Sequence, residues 1–265
     1  MSIRIAAIIP AAGASRRFGF GDKLSQDLGG RPLLLRSVEL FTKREEVCAI
    51  IVAGPPQEEE FEAFRDRFGA QLGFHGVRIV PGGAVERWET VKLALDAVPP
   101  DATHIAVHDA ARPATPPELI DRVFEAARVH PAVIPGLTVT ATVKRVGGRR
   151  VAAAEEDAIA DSILGDAGAE ASTGRFVEAT LPREQLVLVQ TPQVFEASLL
   201  RRAYAEVEAA GTTDDSGVVE RLGEAVLVVE GDPRNLKVTT PDDLAMVRLL
   251  LGAKAPAERP VHKRF

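Results

Sequence analysis

The stretch Ile3-Arg4-Ile5-Ala6-Ala7-Ile8-Ile9-Pro10-Ala11-Ala12-Gly13-Ala14-Ser15-Arg16-Arg17 decides the architecture. Ile3 to Ile9 is apolar on both faces of an extended backbone, and such a strand belongs in the middle of a parallel sheet covered by helices. The small residues Ala11, Ala12, Gly13 and Ala14 then let the backbone approach a ligand closely, with N–H groups able to cradle phosphate oxygens. Arg16, Arg17 and Lys23 add positive charge within the same short loop. A plain strand-to-helix turn with solvated basic residues accounts for the stretch equally well. The spacing is neither the dinucleotide pattern G-x-G-x-x-G nor the lysine-bearing P-loop.

Outward from this stretch, the first half of the chain alternates short β-branched runs with longer amphipathic ones, the mark of strands and helices in βαβ order. Strands are expected at Ile3 to Ile9, Val47 to Ala53, Val77 to Val80 and His104 to His108, and helices at Leu33 to Thr42, Glu58 to Phe68 and Glu86 to Ala97. Sheets of this kind place ligands beyond the carboxyl ends of their strands. Pro10 to Arg17 follows the first strand and Asp109-Ala110-Ala111-Arg112-Pro113 the fourth. Asn235-Leu236-Lys237-Val238-Thr239 follows a late strand, Ala225 to Val229, and Pro241 opens a final helix, Asp242 to Leu250, where proline is tolerated. Between Gly136 and Leu186 the pattern changes to short alternating runs such as Thr138 to Val146, with Gly147 and Gly148 behind it, which reads as a hairpin-like excursion. Ala152 to Gly174, rich in Ala, Asp, Glu and Gly, is assigned no structure. The expected organisation is a single domain over 1–253, with an arm insertion at about 136–186 and a flexible tail at 254–265.

Composition narrows the function. Of 265 residues, 46% are hydrophobic and 26% charged, a globular balance that excludes a wholly disordered or collagen-like chain. The net charge of −6 offers no bulk attraction to nucleic acid or to an anionic membrane. Cys48 is the one cysteine, so no internal disulfide forms and a reducing compartment is expected. The apolar run Ile5 to Ala14 is broken by Pro10 and Gly13 and is far short of the ~20 residues that span a bilayer. A cytoplasmic location without membrane or nucleic-acid partners follows as the expectation.

Individual residues carry chemistry with open alternatives. Asp109, directly after an apolar strand and three residues before Arg112, is suited to hold magnesium on substrate phosphates, or else to cap the following turn in a pair with Arg112. Lys237 stands among apolar residues in a segment otherwise suited to a strand, pointing to one face with a purpose or snorkelling at the surface. The simplest role for Thr213-Asp214-Asp215 is a helix N-cap. The histidines lack metal-ligand spacing, and His104 and His108, on one face of a strand, are read as structural. Trp88 is expected to pack in the core.

Several motifs, in order and over most of the chain, resemble those of the 2-C-methyl-D-erythritol 4-phosphate cytidylyltransferases of the non-mevalonate isoprenoid pathway. They are PAAG at Pro10 to Gly13, GG-x-x-ER-x-x-TV at Gly82 to Val91, VHDAARP at Val107 to Pro113, QTPQ at Gln190 to Gln193, TDD at Thr213 to Asp215 and NLKVTTPDDL at Asn235 to Leu244. VHDAARP and the NLKVT segment are the specific ones. The resemblance implies an α/β, Rossmann-like nucleotidyltransferase fold, with a mostly parallel twisted sheet flanked by helices and a β-arm that pairs two subunits. It implies transfer from CTP to a polyol phosphate with divalent magnesium. Arg17 and Lys23 then correspond to the pair that neutralises triphosphate charge, and Arg183 and Lys237 to the residues that hold the attacking phosphate. Asp109 corresponds to the magnesium-associated carboxylate. The binding set is completed by Ala11, Ala12, Gly13, Gly83, Arg87, Thr90, Ala110, Arg112, Thr142 and Thr213. In that family the arm arginine enters the neighbouring subunit's site, so a homodimer is expected.

The chain also departs from the family pattern. Ser15 replaces a common glycine, and Lys23-Leu24-Ser25 stands for Lys-Gln-aromatic. Ala141 precedes Thr142 where an Asp is common, Pro182 precedes Arg183, Arg234 precedes Asn235, and the arm between Thr142 and Arg183 is long. The first loop resembles the molybdopterin nucleotidyltransferases at least as well. These changes fall on the acceptor side, which leaves ribitol phosphate and molybdopterin cytidylyltransferases, and a catalytically silent nucleotide-binding homologue, as rivals.

Overall fold

A computed structural model describes residues 3–13, 18, 21–148, 174–206 and 209–253. Its contacts divide the chain into two units, Met1–Leu137 with Val189–Phe265, and Thr138–Leu188. In the first unit, β1 (Ile5–Pro10) is followed by α1 (Leu33–Glu39), β2 (Val47–Gly54), α2 (Glu58–Phe74), β3 (Arg78–Pro81) and α3 (Arg87–Ala94). Then come β4 (His104–Val107), α4 (Pro117–Ala127) and β5 (Ala132–Thr138). The second unit carries β6 (Val143–Val146) and β7 (Val177–Leu181), and β8 (Val187–Val189) crosses its boundary. The first unit resumes with β9 (Gln193–Glu196), α5 (Ala197–Glu206), α6 (Ser216–Arg221), β10 (Leu227–Glu230) and α7 (Pro241–Leu250).

The main sheet runs β10-β5-β9-β4-β1-β2-β3. β1 lies parallel to both β2 and β4, while β9 is antiparallel to β4 and β5. Alternation along β1 divides the core between the two faces of the sheet. Ile5, Ala7 and Ile9 join side chains from α1, α2, α4 and α7, among them Leu34, Phe68, Phe124 and Val247. Ala6 and Ile8 join Val91, Leu200, Ala203 and Val219 from α3, α5 and α6. Both faces are therefore covered, as the two-sided apolarity of β1 requires.

The chain leaves β1 for β2 and β3 on one side and returns to the other side with β4. That reversal opens a crevice between the carboxyl ends of β1 and β4, where open α/β sheets bind ligands. The loops after these two strands, Pro10 to Gly13 and His108 to Arg112, meet there.

Helix ends differ from expectation for local reasons. α2 continues past Phe68 to Phe74 because Phe64, Phe68 and Leu72 form one buried stripe at helical spacing. The α3 pattern ends at Ala94 and tightens into a 3-10 turn over Leu95–Ala97. α7 opens on Pro241, with the Thr240 hydroxyl accepting the Asp243 N–H at 3.2 Å.

In the second unit β6 and β7 pair antiparallel from Val143 opposite Leu181 to Val146 opposite Val177. Gly147 and Gly148 do not close a short turn between them. Gly147 donates its N–H to the Phe176 carbonyl at 2.9 Å, so the ladder extends beyond β6. Residues 149–173, which contain most of the segment from Ala152 to Gly174, lie outside the described residues, as does the tail 254–265. No described helix is long and apolar enough to cross a membrane.

Candidate active site

The crevice at β1 and β4 is built from backbone first. The Ala11 N–H donates to the Ala53 carbonyl at 2.7 Å, tying the loop after β1 to the end of β2. Gly82 lies against both, and a Cβ there would fall 2.6 Å from the Gly54 carbonyl oxygen and 2.8 Å from the Ala12 Cβ. Only glycine permits this approach. The buried Thr90 hydroxyl accepts the Gly83 N–H at 3.0 Å, fixing the turn before α3.

Asp109 sits on the wall of the crevice among three cations. Its Oδ2 lies 3.0 Å from Lys237 Nζ and 3.1 Å from Arg112 Nε, and its Oδ1 lies 3.5 Å from Arg87 Nε. Burial alone would raise its pKa, but Arg87, Lys237 and Arg112 outweigh that and hold it well below the usual carboxylate range. Asp109 is therefore ionised at any physiological pH. Its N–H donates to Thr191 Oγ1 at 3.0 Å.

A buried polar network sets the orientation of this wall. His108 Nε2 lies 3.2 Å from the Arg112 carbonyl, which can only accept, so the proton is on Nε2. Nδ1 then accepts from the Thr191 hydroxyl at 3.1 Å. Burial pushes the His108 pKa down to about 4, which keeps the ring neutral. Asn235 joins three motifs: its Nδ2 donates to the Thr191 carbonyl at 2.8 Å, its Oδ1 accepts from Thr115 at 2.8 Å, and its carbonyl accepts from Arg112 Nη1 at 2.7 Å.

This network explains why Asn235 to Thr239 is not a strand, contrary to the pattern of its sequence. Its backbone groups are already used: Val238 donates to the Ala111 carbonyl, and Thr239 donates to the Asp243 carboxylate at 2.8 Å. Lys237 is presented from an extended segment pinned beside the β4 loop.

Two cavities meet at this wall. One, of about 630 Å³, is lined by Ala11, Ala12, Gly13, Lys23, Gly83, Thr90 and Ala110 among others. The second, of about 640 Å³, is lined by Arg112, Gln190, Thr191, Gln193, Thr213 and Asp214 among others. Arg87, Asp109 and Lys237 line both. The expected residues of the first unit are thus brought together, apart from Arg17, which lies outside the described residues. Thr142 and Arg183 belong to the second unit, where both are exposed. Arg183 donates there to the Thr140 carbonyl.

The TDD segment divides its work differently from a simple cap. Asp214 is the residue that caps α6, its Oδ1 accepting the Gly217 N–H at 3.2 Å and its Oδ2 accepting from Gln193 and Ser216. Asp215 has no exposed surface and makes no capping bond. Its Oδ2 lies 2.7 Å from Arg87 Nη1, and its Oδ1 accepts the Tyr204 hydroxyl at 2.6 Å. Sequence reasoning misses it because an acid before Ser-Gly and an apolar run looks the same whether it caps or pairs. Trp88 is only partly buried, and its Nε1 donates to Glu86 at 2.7 Å.

Among the described residues no group of three or more His, Cys, Asp or Glu is placed to hold a metal ion. Asp109 still fits magnesium, which takes one or two protein carboxylates and completes its shell with water and substrate phosphates. The carboxylate is permanently charged, and its Oδ1 has only the more distant Arg87 contact.

A doubly covered, mostly parallel sheet with a small-residue loop and a cation-ringed carboxylate at its switch point is the Rossmann-like nucleotidyltransferase fold. Comparison with known proteins narrows the class. The family model described as IspD, 2-C-methyl-D-erythritol 4-phosphate cytidylyltransferase, matches residues 5–159 and 148–253, and the chain belongs to that family. A relative from Frankia casuarinae with that enzyme name is 41% identical, covering 97% of this chain and 85% of its own. One from Acidobacterium capsulatum is 38% identical, covering 96% and 99%. The solved structure of the 2-C-methyl-D-erythritol 4-phosphate cytidylyltransferase of Thermus thermophilus superposes with a TM-score of 0.66 at 29% identity, covering 96% of this chain and 100% of that one.

Proposed function

We propose that this protein transfers the cytidylyl group of CTP to 2-C-methyl-D-erythritol 4-phosphate and releases pyrophosphate. The observation that carries this reading is the wall of Arg87, Asp109 and Lys237 shared by two cavities. One cavity is lined by the small-residue loop suited to a nucleoside triphosphate, and the other is open to an acceptor.

The chemistry asks for alignment and charge compensation. The acceptor's phosphate monoester has a second pKa of about 6 and is largely ionised at neutral pH, so no strong general base is needed. One of its oxygens forms a bond to the α-phosphorus of CTP. The α–β anhydride bond breaks, and pyrophosphate leaves with the electron pair. Arg17 and Lys23 neutralise the triphosphate as the leaving charge grows, while Lys237 and Arg183 hold the attacking phosphate. Arg112 and Thr142 orient the polyol, and Thr213 belongs to the acceptor cavity. Ala11, Ala12, Gly13, Gly83, Thr90 and Ala110 shape the nucleotide side, with Arg87 between the two. Magnesium, held by Asp109, supplies further charge stabilisation on the phosphates when bound.

The reading extends to a cytoplasmic homodimer. The second unit, read as the arm insertion, exposes Phe176, Val177 and Leu188, and this supports pairing through it. The test is pyrophosphate release with magnesium, each of the four nucleoside triphosphates being paired with methylerythritol phosphate and with ribitol phosphate. Release only with CTP and methylerythritol phosphate is expected. Release with another acceptor removes the acceptor half of the reading, and CTP binding without release removes the transferase.

A further inference from the structure

Arg87 is held in a way that substrate binding alone does not explain. It occupies the first position of α3, where the partial positive charge of the helix start disfavours a cation. Its Nη2 is buried with no hydrogen-bond partner among the described residues, and its Nε is still 3.5 Å from Asp109. The guanidinium is shared between two carboxylates and saturates neither. Asp215 Oδ2 touches Nη1 at ion-pair distance without an aligned hydrogen bond.

Asp215 itself is an expensive residue to keep. It is a carboxylate with no exposed surface, and it lines neither cavity. The helix cap beside it is supplied by Asp214. Buried ion pairs contribute little net stability compared with well-packed apolar residues, so the fold gains nothing obvious from it. Tyr204, 2% exposed, donates to its Oδ1 at 2.6 Å and fixes the carboxylate in place. The Arg87 charge is reinforced in return: burial would lower its pKa, but Asp215 and Asp109 raise it above the ordinary value.

We infer that Asp215 is a positioning residue for the transfer reaction, acting through Arg87. Clamped by Tyr204, it keeps the guanidinium in the wall between the two cavities, and through that guanidinium fixes the Oδ1 side of Asp109. When substrate phosphates compete for the cations around Asp109, Asp215 retains Arg87 where it is. The inference rests on the function proposed above and adds to it a residue that touches no substrate.

The test is a double-substitution cycle with D215N, R87Q and R87Q/D215N, following melting temperature, kcat and KM. D215N is expected to fold and to lose roughly ten- to a hundredfold in kcat, with kcat/KM falling alongside and KM moving less than about threefold. Adding D215N to R87Q is expected to change kcat by less than about threefold. A folded D215N with wild-type kcat overturns the inference, as does an equal loss in both backgrounds, which marks a role independent of Arg87. Should D215N not fold, Y204F takes its place in the same cycle, with a loss of roughly three- to tenfold expected only where Arg87 is present. No loss, or an equal loss in both backgrounds, overturns the inference there too. An unaltered protein that releases no pyrophosphate defeats the proposed reaction separately. CTP binding by calorimetry on the same proteins then decides the inference, with D215N expected to weaken it about two- to threefold only when Arg87 is present, and no change or an equal change in both backgrounds overturning it.

Discussion

Asp109 and Arg183 are assigned to one reaction, yet their surroundings differ in kind. Asp109 is 8% exposed, its backbone N–H is bonded, and both carboxylate oxygens face cations. Arg183 stands on an exposed turn of the second unit, whose strands β6 and β7 include no buried residue. A charge fixed by a packed network is in place before substrate arrives, whereas a strand pair without a core is marginal by itself. The wall around Asp109 is thus preorganised by folding alone. Arg183 depends on something further, which the homodimer proposed for this chain would supply.

The sharpest way to break this contrast is to remove one cation from each side. K237A is expected to lose roughly a hundred- to a thousandfold in turnover while keeping its melting temperature, because the Lys237 side chain is 40% exposed. R183A is expected to behave similarly. If the arm completes the partner's site, mixing the two inactive variants as dissociated and reassociated chains restores about a quarter of the wild-type sites, since half of the dimers are mixed and each has one intact site. No recovery places Arg183 in its own chain's site, or outside the reaction.

Asn235 offers the converse test, a large effect on folding. N235A removes two buried side-chain bonds, to the Thr191 carbonyl and from the Thr115 hydroxyl. A loss of about 2–4 kcal/mol in denaturant unfolding is expected. An equal loss from a polar substitution on β6 or β7 would erase the difference between the units.

The sequence makes the wall legible and leaves its supports hidden. β1, β4 and the loops behind them are readable because apolarity on both faces requires a covered strand, and ligands gather where such strands end. Lys237 stands out among its apolar neighbours, but its segment reads as a strand because alternation along Asn235 to Thr239 says nothing about the Asn235 carbonyl being claimed by Arg112. Asp215 is hidden for a related reason: its partners, Arg87 and Tyr204, come from other helices, and no local pattern records a pairing at that distance. β9 also escapes notice, being a short antiparallel strand whose buried Val194 and Phe195 are too few to show a period.

His108 sharpens the contrast through pH. Its folded pKa of about 4 lies below the unfolded value of about 6.5, so as pH falls from 7 the unfolded chain takes up a proton that the folded chain refuses. Stability contributed by the neutral ring is complete above pH 7, is lost progressively toward pH 4, and changes no further below that. The loss approaches about 3 kcal/mol. Urea unfolding of the wild type and H108N at several pH values in that window checks it, and parallel curves would show that His108 does not refuse the proton.

The smallest effect is expected on the second unit. Phe176 is 73% exposed, so F176S removes almost no packing within a chain and should change the unfolding free energy of the monomer by less than about 0.5 kcal/mol. The same substitution deletes apolar surface that the proposed dimer covers. It is expected to shift the monomer–dimer equilibrium toward monomer in sedimentation, and to make activity fall on dilution at concentrations where the wild type is constant. A dilution profile unchanged by F176S would mean that the exposed side chain is not part of the pairing surface. A destabilised monomer would mean that the second unit has a core of its own, and the difference between Asp109 and Arg183 would then be one of degree.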